Sequence, residues 1–163
     1  MNLPGLRLSL CVLCGLWLLP AHASQPLVGG YTHTHAEPDE SPVWNITHDG
    51  NHYDAQTVAD GEHVQAWLLS ERGRAAFWER MSWPVASSAT AVCLSWGTAP
   101  LTLQALLEPE TTPEPPGEDR VGASVLCQVQ AADKARIDWL AGYQSDYFYY
   151  DPLFGVTESR ALP

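Results

Sequence analysis

Five histidines fall within 31 residues, His33, His35, His48, His52 and His63, and imidazole is the commonest protein ligand for zinc and copper. His33-Thr34-His35 would set both rings on one side of an extended segment. His48 and His52 bracket a turn, with Asp49 and Asp54 at hand as oxygen ligands. The spacing matches no established ligand pattern, however, so the expectation is solvated surface histidines, no metal site and no cofactor. Nucleophilic catalysis has little to build on. The chain holds no Gly-x-Ser-x-Gly, and its two distal cysteines are expected to be consumed in a disulfide. Carboxylates are plentiful, but a glycosidase-type mechanism needs two of them facing each other across a substrate, and abundance alone places no such pair. The reading is a binding protein rather than an enzyme.

Two stretches suit partner binding. From Glu108 to Asp119 the chain carries four prolines, five acids, one glycine and no large apolar side chain, the composition of a stiffened, solvated loop with no reason to pack. Glu110, Glu114 and Glu118 would supply charge that speeds encounter with a basic protein. Near the other end stands Tyr147-Phe148-Tyr149-Tyr150. Alternation puts Tyr147 and Tyr149 on one strand face and Phe148 and Tyr150 on the other, so a core on one side cannot bury all four. Tyrosine is enriched at interfaces, which makes Tyr147, Tyr149 and Tyr150 candidate contact residues beside the acidic loop.

The elements that must position these residues begin with an export signal. Arg7 precedes a twelve-residue apolar run, Leu8 to Leu19, then Pro20 and Ala21-His22-Ala23, small residues placed for cleavage before Ser24. Twelve residues are too few to span a bilayer, which needs about 20. Residues 1–23 are therefore expected to be removed, together with Cys11 and Cys14. Cys93 and Cys127 then remain in an oxidising compartment, where two cysteines allow one intramolecular pairing. A cross-strand clamp is the expected form, with Cα atoms about 4.4–6.8 Å apart.

Net charge is −11, and all nineteen acids lie beyond the signal while one of the eight basic residues, Arg7, lies within it. That balance argues against nucleic acid and anionic membrane surfaces as partners and suits a basic protein. Lys134 is the only lysine among seven arginines, a bias of GC-rich coding sequence, so the expected location is a bacterial periplasm, or the secreted fraction.

Residues 24–42 read as a loosely ordered N-terminal arm, and 43–163 as a single globular domain with an acidic Pro-rich loop at 108–119. Val43 to Thr47 alternates, His48-Asp49-Gly50-Asn51 is a turn of the type I′ kind, and Tyr53 to Val58 returns as the second strand of a hairpin. Glu62 to Leu69 fits strand or helix, with strand then helix preferred. Ser70 can cap a helix over Glu71 to Met81 whose buried arc holds Phe77, Trp78 and Met81. Arg74 falls in that arc too, so either it meets a buried carboxylate or the helix is shorter. Ala91 to Trp96, Leu101 to Leu107 and Val121 to Val129 read as strands, the last two as hairpin partners across the acidic loop. Residues 135–140 suit a strand or a short helix. The fold class this predicts is α+β, one antiparallel sheet with one or two helices and one disulfide.

Small, exported, acidic, singly cross-linked and without a catalytic motif, the chain has the profile of an inhibitor or immunity-type protein that occludes a secreted or injected hydrolase, such as a lysozyme-like enzyme. The alternatives are a periplasmic metal-binding protein using the histidine cluster and a small carboxylate-dependent hydrolase.

Overall fold

A computed structural model describes residues 26–35, 41–98 and 115–163. The expected signal segment, the expected strand at 101–107 and the acidic loop up to Glu114 lie outside the described residues. Eight strands follow in chain order: β1 (Gly29–His33), β2 (Trp44–His48), β3 (Tyr53–Thr57), β4 (His63–Leu68), β5 (Val92–Trp96), β6 (Ser124–Gln128), β7 (Tyr147–Asp151) and β8 (Gly155–Ala161). Helix α1 (Glu71–Arg80) and a 3₁₀ turn (Val85–Ser88) join β4 to β5. Two single-turn helices, α2 (Ala131–Lys134) and α3 (Asp138–Ala141), join β6 to β7.

Each strand pairs antiparallel with the next, and β1 pairs with β8, so the sheet closes into a barrel. This corrects the expected open sheet. The closing pairs are Tyr31↔Ala161, Thr32↔Arg160 and His33↔Ser159, continued by the Leu162 N–H donating to the Gly30 carbonyl at 2.8 Å. Gly29–His33, expected to belong to the loose arm, is one of the two closing strands. β6 pairs with β5 on one edge and with β7 on the other. Closure satisfies every strand edge without a partner chain.

Two cores share this barrel. Leu27, Tyr31, Trp44, Ile46, Tyr53, Ala55, Ala66, Leu94, Trp96, Leu126 and Tyr149 form the interior cluster. Phe77, Trp78, Trp83, Ile137 and Leu140 pack from outside onto Cys93, Val125, Cys127, Val129 and Phe148. Strands β5 and β6 are thus buried on both faces, which explains why their sequences read as apolar runs rather than as alternation. β2 and β3 keep polar outer residues, among them Asn45, Thr47, Asp54 and Gln56. The Cys93–Cys127 disulfide joins directly opposed residues of β5 and β6 at a Cα separation of 4.1 Å, slightly closer than the expected range.

Local chemistry explains the helix. The Ser70 side chain accepts from the Gly73 N–H at 3.1 Å, a regular N-cap, and its hydroxyl donates to Asp119. Arg74 meets neither a carboxylate nor a shorter helix. Its guanidinium donates to the Leu69 carbonyl at 3.0 Å and the Ser88 carbonyl at 3.2 Å, so backbone acceptors satisfy it. The hairpin between β2 and β3 forms as expected, but as a four-residue loop in which the Asp49 carboxylate accepts from the N–H groups of Asn51 and His52, both at 2.8 Å. Those bonds hold its pKa below the usual carboxylate value. Only Gly50 there has positive φ, 101°, so the turn is not type I′. The ambiguous 62–69 stretch resolves as the strand His63–Leu68, and the 131–141 stretch as the single helical turns Ala131–Lys134 and Asp138–Ala141.

The end of the acidic loop is docked. The Glu118 carbonyl accepts from the Ser70 N–H at 2.8 Å, and a Cβ on Gly73 would collide with that same oxygen. On a free helix Gly→Ala gains about 1 kcal/mol. Here Gly73→Ala should reverse that sign and destabilise by upwards of about 1 kcal/mol, because backbone must move. Urea unfolding followed by circular dichroism checks the direction.

Candidate functional site

Strand order places the ends of β1, β3, β5 and β7 and the starts of β2, β4, β6 and β8 at one end of the barrel. The opposite end carries the β2–β3 hairpin and the helical crossovers. At the first end a cavity of about 490 Å³ opens, lined by His33, Val43, Trp44, Thr57, Tyr149, Asp151, Phe154 and Thr157. A ligand-sized recess at the mouth of an eight-stranded barrel is a common binding arrangement. A second groove of about 500 Å³, along Val64, Trp67 and Pro115–Gly117, lacks a comparable convergence of aromatic rings among the described residues.

The floor is a cluster of aromatic rings. Trp44 and Tyr149 have ring centroids 4.0 Å apart, Tyr149 and Trp96 5.9 Å, and His33 meets Trp44 edge-on at 5.2 Å. The sequence produces it because β2 begins at Trp44, β5 ends at Trp96, and Tyr149 sits two residues before the end of β7, all pointing inward. The Tyr149 hydroxyl lies 2.9 Å from the Ser124 hydroxyl and 3.4 Å from Asp151 Oδ2. Burial raises its phenol above the ordinary value, with the Asp151 charge adding to the shift. Asp151 Oδ1 accepts from the Leu153 N–H at 2.8 Å, closing the β7–β8 hairpin. Asp151 has no cationic side chain as a partner among the described residues.

The rim is exposed and apolar. Leu153 is 84% and Phe154 80% exposed at the hairpin tip, and Val58 adds to the rim beyond β3. Turn positions between strands ordinarily carry polar residues, so an adjacent Leu-Phe pair there was a signal available in the sequence.

Of the six expected contact residues, Glu110 and Glu114 lie outside the described residues. Glu118 is exposed, with its backbone docked on α1. Tyr147 is half-buried against Tyr31, 5.5 Å between centroids, and Tyr150 half-buried against Phe77 at 5.4 Å. Of the four that are described, Tyr149 alone lines the mouth cavity, and it is 8% exposed. Asp151 flanks the expected tyrosine patch, whereas Trp44, Leu153 and Phe154 were not expected as contact residues from the sequence. The histidines spread out: His33 is at the mouth, His48 and His52 are at the opposite hairpin, and His63 lies outside with its Nδ1 2.6 Å from Asp54. Among the described residues no group of three or more His, Cys, Asp or Glu side chains is arranged to hold a metal ion.

Burial also raises the phenols of Tyr31, Tyr53 and Tyr143 above their ordinary value of 10.0. A raised phenol favours the folded state while protonated, so that stability is complete below pH 10 and declines as pH rises beyond it. Melting temperature followed from about pH 8 to 12 should fall on the alkaline side, with phenolate absorbance rising together with unfolding.

The chain matches no protein-family model, no curated protein and no solved structure.

Proposed function

We propose that this chain is an exported binding protein of the inhibitor or immunity type, which occludes a basic hydrolase such as a lysozyme-like enzyme through the rim of the barrel mouth. The observation that carries the reading is the adjacent pair Leu153 and Phe154, held almost fully in solvent on a short hairpin. Leaving such side chains exposed forgoes about 1.5–3 kcal/mol each, and contiguous exposed apolar side chains beside a recess mark an interaction surface. The net charge of −11 suits a basic partner. The disulfide supports an oxidising compartment.

A panel of basic lysozymes assayed by clearance of a peptidoglycan suspension tests the proposal. The wild-type protein should inhibit at least one of them, more strongly at low salt. Leu153→Ser with Phe154→Ser should weaken that inhibition by about 30-fold or more, one good anchor being worth about 2 kcal/mol. Both residues are exposed, so the variant should keep its fold. Inhibition unchanged in the double variant would remove the rim from the account, and no inhibition across the panel would remove lysozyme-like enzymes from it.

A further inference from the structure

Resting on that reading, we propose that the mouth cavity is a socket for one cationic side chain of the partner, a lysine ammonium or an arginine guanidinium, with Asp151 as its counter-charge. Among the described residues that line the cavity Asp151 is the one carboxylate and there is no lysine or arginine, and no cationic side chain among the described residues pairs with it. A carboxylate can only accept hydrogen bonds. Its Oδ1 is engaged by the Leu153 N–H, while among the described residues Oδ2 has only the long contact, 3.4 Å, from the Tyr149 hydroxyl. Acceptor capacity therefore remains for a charged donor, and charge-assisted bonds of this kind are the strong ones.

The rest of the cavity decides how such a group would lie. Trp44 and Tyr149 pack tilted against each other, with Trp96 beside Tyr149 and His33 edge-on to Trp44, and both rings are buried, so little of either face is open to a cation. The carboxylate, rather than a ring face, must hold the charge. The apolar stem of a lysine or arginine would then run along Phe154 and Val43, which line the approach, in the way such stems habitually cover apolar surface. An anionic or neutral group of the same length would meet Asp151 with repulsion or without its charge-assisted bond.

Titration of the isolated protein with n-butylguanidinium, n-butylurea and butanoate separates these cases, read by tryptophan fluorescence and by amide shifts at the mouth. Butylguanidinium should bind in the millimolar range and at least about fivefold more tightly than the urea, and butanoate should not bind. Asp151→Asn keeps an oxygen for the Leu153 N–H and should reduce guanidinium binding by about fivefold or more. Against the hydrolase inhibited by the wild-type protein, Asp151→Asn should weaken inhibition by about tenfold, and butylguanidinium should compete. Equal binding of the guanidinium and the urea, or an Asp151→Asn variant that binds both probe and hydrolase as before, overturns the proposal. Guanidinium binding that neither competes with the hydrolase nor depends on the same residue in inhibition assigns the socket to a free cation and overturns the partner's side chain as occupant. If the Leu153→Ser/Phe154→Ser variant loses inhibition while Asp151→Asn retains it fully, the rim reading stands and the socket falls.

Discussion

Trp78→Ala should destabilise the protein by about 3–5 kcal/mol, the range for deleting a large buried aromatic ring. Trp78 has no exposed surface and sits where α1 meets the outer face of the barrel. Its ring packs on Phe77, Trp83 and Phe148 at centroid distances of 5.6, 5.5 and 6.2 Å. The indole N–H donates to the Ser87 hydroxyl at 2.9 Å, and that hydroxyl donates on to the Pro84 carbonyl at 2.7 Å, so one side chain ties α1 to the 3₁₀ turn after it. Trp78→Phe keeps much of the apolar area and loses the donor, and should cost less than the alanine variant. Urea unfolding read by far-ultraviolet circular dichroism measures both. Because Trp78 faces the helix layer and not the mouth, the proposed inhibition should be unchanged for the folded fraction.

Replacing both cysteines, Cys93→Ala with Cys127→Ala, should cost about 3–4 kcal/mol from chain entropy for a closed loop of this length. The two residues are 34 apart in sequence and fully buried beneath the helix layer. The loop they close contains the whole acidic Pro-rich stretch, whose freedom in the unfolded chain the disulfide restricts. The barrel register does not depend on the bond, since Val92, Leu94, Ser95 and Trp96 are paired with β6 on either side of it. The double variant should therefore fold to the same barrel with a melting temperature lower by about 10–15 °C. An unchanged melting temperature would show that the bond adds little beyond the register.

Parts of this molecule were written openly in its sequence. Ser70 as a cap, Phe77 and Trp78 on one arc, the β2–β3 hairpin and the Cys93–Cys127 clamp all depend on residues close together or on cysteine arithmetic. Closure was not legible, because the closing strands are disguised. Gly29-Gly30 opens β1 with two poor strand formers, and β8 carries Thr157, Glu158, Ser159 and Arg160 with little apolar contrast between faces. Without them the remaining strands read as an open sheet. The aromatic run in β7 misled for a related reason. A one-sided sheet cannot bury four consecutive aromatics, but β7 lies between the barrel interior, which takes Tyr147 and Tyr149, and the helix layer, which takes Phe148 and Tyr150. The mouth was illegible because its residues come from β1, β2, β3, β7 and β8, far apart in sequence and adjacent only once the barrel closes.

Amide hydrogen exchange of the protein alone and mixed with the proposed partner, a basic lysozyme that the clearance assay shows to be inhibited, tests the central claim most directly. Protection should appear at residues 151–157 of the β7–β8 hairpin, at Val43 and Trp44, and around Thr57 and Val58. The β2–β3 hairpin at the opposite end and helix α1 should exchange as before. Protection centred on residues 48–53 or on α1, with the mouth unchanged, would contradict the assignment of the barrel mouth as the contact surface.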